Sequence, residues 1–252
     1  MELMKKVMIL ITSLSLCITA ALMQITEVKA ATKNSTQEEY FSHTLFAGDS
    51  ITLGLQKFVK ECDSVLKHAT FYCRGGYGLR TAIRPLSVGD THPLYNGEMK
   101  NLWDVTTDEK FERVYLMFGL NDIGVTSVDD AYTNYLTLIN NILEDRPDIE
   151  IIVMSTTAML EGAEYPHLNN ENIRALNKKM KTVCEEKKWQ FLDISTSLTD
   201  ARGYLMPQFC SDGYLHLSKE AYTKEVIPLI TNSQTITASG KNKKYKVFVV
   251  QI

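Results

Sequence analysis

The apolar run Thr44-Leu45-Phe46-Ala47 stops abruptly at Gly48-Asp49-Ser50, and a helix-like segment, Leu55 to Cys62, follows. That order predicts a buried strand, a tight turn and a helix whose N-terminus points back at the turn. A serine at the end of a strand, beside free backbone amides, is placed for chemistry, so Ser50 is a candidate nucleophile. It is also a candidate helix cap, since serine is a favoured N-cap residue. On this stretch alone the capping reading is the stronger one, because turn and cap signals are common.

Beyond the turn, strand-like and helix-like segments alternate. Ala69–Cys73 reads as a second strand, and Val114-Tyr115-Leu116-Met117-Phe118, ending at Gly119, as a strand buried on both faces. Val128, Ala131, Tyr132, Tyr135, Leu136, Ile139, Ile142 and Leu143 recur at three- and four-residue steps, which predicts an amphipathic helix ended by Arg146-Pro147. Ile149–Met154 is the next strand. Asn170 to Glu186 carries Ile173, Leu176, Met180 and Val183 at helical spacing, Trp189–Ile194 is another strand, and Ser218–Ile230 the last main helix, interrupted near Pro228. Such alternation implies an α/β fold, a three-layer α/β/α sandwich on a mostly parallel sheet. In that architecture a site lies at the carboxyl ends of the strands, where Ser50 and the segment after Phe118 both fall. Leu79 to Asp108, rich in Pro, Gly and Asn, fits the alternation poorly and reads as a long loop or irregular lid containing Trp103.

The chain's 252 residues, 44% hydrophobic, suffice for one domain with a sizeable core. Its ends read differently. Lys5 and Lys6 precede an apolar run from Val7 to about Met23, and Val28-Lys29-Ala30 supplies a cleavage-site pattern. Residues 1–30 therefore read as a secretory signal peptide cut after Ala30, with an uncleaved anchor as the alternative. Leu14-Ser15-Leu16-Cys17 is a poor lipoprotein box because Leu16 is bulky. Residues 31–42 read as a linker, 43–231 as the folded domain, and 232–252 as a tail whose last residues, Val247 to Ile252, offer an edge strand. The expected location is secreted or associated with the cell envelope. Cys62, Cys73, Cys184 and Cys210 permit disulfides in that setting, with buried free thiols equally open. A net charge of −3 without a clustered basic face gives no nucleic-acid footprint. No CxxC or HExxH occurs, and His43, His68, His92 and His167 are scattered singly, so no metal site is inferred.

A serine nucleophile needs a base, a carboxylate to orient that base, and donors aimed at the developing oxyanion. Cys210-Ser211-Asp212-Gly213-Tyr214-Leu215-His216 offers Asp212 and His216 in one loop before the last helix. Gly119-Leu120-Asn121-Asp122 offers the Asn121 amide at a neighbouring strand end. Arg74-Gly75-Gly76-Tyr77-Gly78 offers a backbone amide; it matches neither GxxxxGK[ST] nor GxGxxG and is no phosphate loop. Each segment alone reads as an ordinary turn or flexible loop. Four separate strand ends carrying these groups together do not.

This combination and order resemble the SGNH hydrolases, also called the GDSL esterase/lipase family, from about Leu45 to Tyr222. The resemblance implies the SGNH/flavodoxin-like fold, Ser50 as nucleophile, His216 as base and Asp212 as its orienter. It also implies an oxyanion hole made by the amides of Ser50 and Gly78 and the Asn121 side chain. The family's last block is DxxH, whereas this chain has Asp212-Gly-Tyr-Leu-His216, one residue longer. Either a one-residue bulge keeps both side chains in place, or a backbone carbonyl takes over the orienting role. The GxSxG elbow of α/β-hydrolases is absent.

The expected activity is ester hydrolysis through an acyl-serine intermediate, with no metal or organic cofactor. Export makes an extracellular or cell-envelope polymer the expected substrate. The resemblance to a family many of whose members remove acetyl groups from carbohydrates implies an O-acetyl esterase whose partner is an acylated carbohydrate or envelope glycan, with Trp103 and Tyr77 as candidate platforms for a sugar ring. A lipase or lysophospholipase is the alternative enzyme, and a non-catalytic glycan-binding module the alternative of a different class. The oligomeric state is left open.

Overall fold

The computed structural model describes residues 36–87 and 91–233. The expected signal peptide and the expected C-terminal edge strand lie outside these residues. The chain divides into two compact units between Tyr40 and Phe41. Of the first, residues 36–40 are described and are helical, within the stretch expected as a linker.

The second unit is built on a five-stranded sheet: β1 (Thr44–Gly48), β2 (Thr70–Cys73), β3 (Arg113–Met117), β4 (Glu150–Met154) and β5 (Gln190–Leu192). Their order is β2-β1-β3-β4-β5, and every neighbouring pair is parallel. All five residues of β1 and of β3 are buried, which is why those segments carry no polar alternation. The edge strands β2 and β5 are mostly half-buried. In the parallel register Phe46 of β1 lies opposite Phe71 of β2 and Tyr115 of β3, so the three rings share one face. Their centroids stand 5.2 and 4.6 Å from that of Phe46. Stacks of this kind contribute about 0.5–1.5 kcal/mol each beyond the area they bury.

Three helices follow strands: α1 (Ser50–Glu61), α2 (Val128–Asp145) and α3 (Asn170–Lys187). The strand order reverses direction after β2. Right-handed crossovers therefore put α1 on one face of the sheet and α2 and α3 on the other. Each start is capped by a side chain: Asp49 accepts from the Ile51 amide, Ser127 forms a capping box with Asp130, and Asn169 accepts from the Asn172 amide. Each cap contributes about 1 kcal/mol. The last helical stretch differs from the single helix expected over Ser218–Ile230. Lys219–Ala221 is followed by a π-helical turn, Tyr222–Val226, and then by α-helix over Ile227–Asn232 with Pro228 in its first turn. Pro228 lacks an N–H and cannot continue an α-helical ladder, and the wider turn accommodates it. Tyr222, held in that turn, stacks on Phe58 of α1 and donates its hydroxyl to the carbonyl oxygen of Ile51 at 2.9 Å.

The described residues of Leu79–Asp108 are more ordered than a loop. They hold helical turns at Leu79–Ala82 and Leu102–Thr106 and a two-stranded antiparallel ribbon, Leu94–Tyr95 with Glu98–Met99. Their order comes from a partner outside the segment, the Tyr72 hydroxyl donating to the Lys100 carbonyl, and from the Tyr95 hydroxyl donating to Asp108 within it.

The junction of β1 and β3 is the point where the strand order reverses, and the crevice beyond it is where ligands bind in such sheets. The backbone is drawn tight there. A Cβ on Gly48 would lie 2.2 Å from Thr52 Oγ1 and 2.4 Å from the Met117 carbonyl oxygen of β3. The carbonyl cannot retreat without parting β1 from β3. Gly48→Ala is expected to destabilise the fold by about 1–3 kcal/mol, read as a lower denaturant midpoint at unchanged slope. A midpoint equal to wild type would contradict this.

Candidate active site

Ser50 is the first residue of α1, and the cap position belongs to Asp49, so the serine hydroxyl is not spent on capping. The hydroxyl lies 3.0 Å from His216 Nε2. The other ring nitrogen of His216, Nδ1, is 2.5 Å from Asp212 Oδ2. Serine, imidazole and carboxylate thus form one continuous line of hydrogen bonds, although Ser50 and His216 are 166 residues apart.

The longer spacing between Asp212 and His216 is absorbed by a turn. Gly213 adopts φ +74°, which favours glycine. The chain then wraps round Asp212, whose Oδ1 accepts from the amides of Tyr214 (2.9 Å), Leu215 (3.0 Å) and His216 (3.2 Å). The Cys210 thiol adds a weaker bond at 3.4 Å. One carboxylate oxygen builds the loop and the other meets the imidazole, so no backbone carbonyl is needed as a substitute. Partial burial works to raise the Asp212 pKa, but the bonds from the His216 ring and these amides outweigh it and hold the carboxyl well below its usual range. Asp212 is therefore ionised throughout the neutral range.

Asn121 follows β3 in a helical turn, Leu120–Ile123, that starts at Gly119. Gly119 has φ +130°, and a Cβ there would lie 2.6 Å from Thr156 Oγ1, so both conformation and space require glycine. Asn121 Nδ2 donates to Asp49 Oδ2 at 3.4 Å. Gly78 heads the helical turn Leu79–Ala82. Its loop is fixed by Asp122, fully buried, whose oxygens accept from the Leu79 amide at 3.0 Å and the Arg80 amide at 3.1 Å. A Cβ on Gly78 would lie 3.0 Å from Asp122 Oδ1 and 3.3 Å from Asn121 Cβ, which measures how closely the two loops meet. Burial raises the Asp122 pKa against the pull of those two amides.

Ser50, Gly78, Asn121, Asp212 and His216 therefore fall at the carboxyl ends of β1, β2 and β3 or in the loop before the last helical stretch, whereas Trp103, expected as a sugar platform, lies half-buried in the helical turn Leu102–Thr106. Sequence reasoning assigned no task to Asp122, although it is the final residue of the Gly119–Asp122 block. It also placed Asp49 in the turn without seeing its bond to Asn121. Tyr77, expected as a sugar platform, is buried edge-on against Tyr72 and Phe118, and its place in the core removes it from that role. A different pair of rings includes Tyr214 of the Asp212–His216 loop. Tyr165, 61% exposed, meets it edge-on at 5.8 Å. Tyr214 is tied in by its own carbonyl, which accepts from the Leu160 amide at 3.0 Å.

The four cysteines of the second unit, Cys62, Cys73, Cys184 and Cys210, are free thiols. Burial pushes the Cys73 and Cys184 thiols up to about 12, which keeps both protonated and inert.

Residues 46–224 match the family model of the GDSL-like lipase/acylhydrolase family. No curated protein matches the chain. Among solved structures, a GDSL-like lipase from Bacteroides thetaiotaomicron superposes with a TM-score of 0.56 at 18% identity, covering 81% of this chain and 94% of that one. A lipase/acylhydrolase from Enterococcus faecalis gives 0.55 at 20% identity, over 75% of this chain and 94% of that one. A carbohydrate esterase family 3 protein from Talaromyces cellulolyticus gives 0.52 at 13% identity, over 75% and 94% respectively. At these identities the structural likeness establishes the fold.

Proposed function

The chain belongs to the GDSL-like lipase/acylhydrolase family, and from that premise we propose that it is an exported serine esterase that removes acetyl groups from a carbohydrate through an acyl-Ser50 intermediate. The line of hydrogen bonds from Asp212 through His216 to Ser50 is the observation that carries the reading. His216 Nε2 takes the Ser50 proton as Oγ attacks the ester carbonyl carbon. The carbonyl oxygen becomes an oxyanion held by the Ser50 and Gly78 amides and the Asn121 side chain. Collapse of the tetrahedral adduct breaks the carbonyl carbon–alkoxy bond, and the imidazolium gives its proton to the leaving alcohol. A water molecule, deprotonated by the same nitrogen, then attacks the acyl carbon, and the imidazolium returns the proton to Ser50 Oγ as the Oγ–acyl bond breaks and the acid leaves. Asp212, ionised throughout, fixes the tautomer that leaves Nε2 free to accept.

Two observations favour a sugar on the alcohol side. Tyr165 is exposed and touches Tyr214 of the loop that carries His216, and an apolar ring face suits the C–H face of a sugar. The Lys5-Lys6 start, apolar run and Val28-Lys29-Ala30 pattern fit an exported chain that meets extracellular polymers.

The test is a panel of nitrophenyl esters of increasing acyl length together with acetylated polysaccharides. Highest kcat/KM on acetyl esters and release of acetate from the polysaccharide are expected. A preference for long acyl chains would replace this reading with a lipase, and glycan binding without hydrolysis would replace it with a binding module. Tyr165→Ala should raise KM on acetylated polysaccharide several-fold while leaving nitrophenyl acetate unchanged. Equal effects on both substrates would remove the ring from the alcohol side.

A further inference from the structure

We propose that Asp49 is a positioning residue for the oxyanion hole, whose carboxylate orients the Asn121 amide and whose protonation reverses that orientation. The inference rests on the esterase reading above, and its ground is the geometry behind Ser50. Asp49 is only 2% exposed, and both of its oxygens act as acceptors. Oδ1 takes the Ile51 N–H at 2.9 Å and Oδ2 takes Asn121 Nδ2 at 3.4 Å.

A primary amide offers two donors at nitrogen and an acceptor at oxygen, and a half-turn exchanges them. Facing a carboxylate, Asn121 must present its nitrogen. One Nδ2 hydrogen is then used on Asp49 and the second remains for a substrate oxygen. If Oδ2 carries a proton, it becomes a donor that the Asn121 nitrogen cannot accept, and the amide gains by turning its oxygen toward Asp49. A half-turn removes the donor from the oxyanion hole.

The proton is within reach at ordinary pH. Burial pushes the Asp49 carboxyl up to about 7; the nearby Asp122 carboxylate adds to that shift, while the Ile51 amide and His216 oppose it. Tyr222, Tyr135 and Cys73 also feel its charge, and burial holds all three well above their ordinary values, so they stay neutral near pH 7. The ionised form is therefore the active one, and it is the form present above the Asp49 pKa. Acyl transfer needs His216 unprotonated as the base and, on this inference, Asp49 unprotonated as the holder of Asn121, so two protons each stop it.

The expected result is an acid limb of log kcat/KM on nitrophenyl acetate, a substrate that does not titrate, with a limiting slope of two. Asp49→Asn keeps an acceptor for the Ile51 amide but turns an NH2 group toward Asn121 at every pH. It should lower kcat/KM by about 10²–10³-fold, as expected for loss of one oxyanion donor. Its acid limb should have a slope of one. Asn121→Ala should cost about the same, and the double variant no more than either single one, because both remove a single interaction. An active wild type with a one-proton acid limb, or losses that add in the double variant, would overturn the inference and leave the esterase reading intact. A wild type with no activity on any ester would overturn both. The wild-type profile alone decides the first point, so a poorly folding variant does not block the test.

Discussion

Ser50→Ala is expected to lower kcat on the best ester substrate by on the order of 10⁶-fold, with KM changed little. The substitution removes one oxygen from a half-buried position that α1 and its cap hold independently. Asp49, not Ser50, satisfies the Ile51 amide, so the helix start survives, and alanine is the best residue within a helix. Thermal stability should therefore match wild type while turnover vanishes. Residual hydrolysis above the water rate would come from binding and the oxyanion donors alone. Loss of Ser50 labelling by an organophosphonate should accompany it. A variant with more than a few per cent of wild-type turnover would exclude an acyl-Ser50 intermediate.

Asp212→Asn is expected to lower kcat by about 10³–10⁴-fold, through orientation and not through loss of a reacting atom. An asparagine oxygen in place of Oδ1 can still gather the Tyr214, Leu215 and His216 amides, so the turn should persist. The NH2 group that replaces Oδ2 faces His216 Nδ1 and can only donate. That forces the ring into the tautomer with its proton on Nε2, which then donates toward Ser50 when it should accept. Asp212→Ala should lose comparable activity and also stability, because the three loop amides are left without an acceptor. If Asp212→Asn kept near-wild-type kcat, the carboxylate would be building the loop and nothing else.

The parts of the molecule that could be read from sequence share one property: their structure is set by nearby residues. β1, β3 and β4 announce themselves as unbroken apolar runs, and α2 and α3 by their helical spacing. Where the determinants are remote, the reading falls short. α1 begins at Ser50, a turn before the expected Leu55, because Asp49 caps it while also reaching Asn121, 72 residues away. The helical turn Leu79–Ala82 depends on Asp122, more than forty positions along the chain. Tyr77 follows a glycine pair and has the look of a loop aromatic, yet it closes the core. Tyr165 stands in a stretch with no periodicity, and nothing local ties it to Tyr214. The longer Asp212–His216 spacing was the sharpest question posed by the motif. Gly213 answers it: a left-handed residue at the second position lets one extra peptide fold back onto the carboxylate.

The bond between Tyr222 and Ile51 has a consequence for how the protein comes into being. Ser50 is made early in synthesis, near the first strand, whereas His216 and the ring that clamps α1 are made near the end of the domain. The site is therefore a contact of very high sequence separation, of the kind that forms late in folding because the entropy of closing so long a loop comes first. A nascent chain holding Ser50 but not Tyr222 has a correctly shaped helix start without His216 beside it. On the proposed mechanism the serine becomes reactive only when the final helical stretch docks, so the order of the chain itself keeps the site silent until the domain is complete.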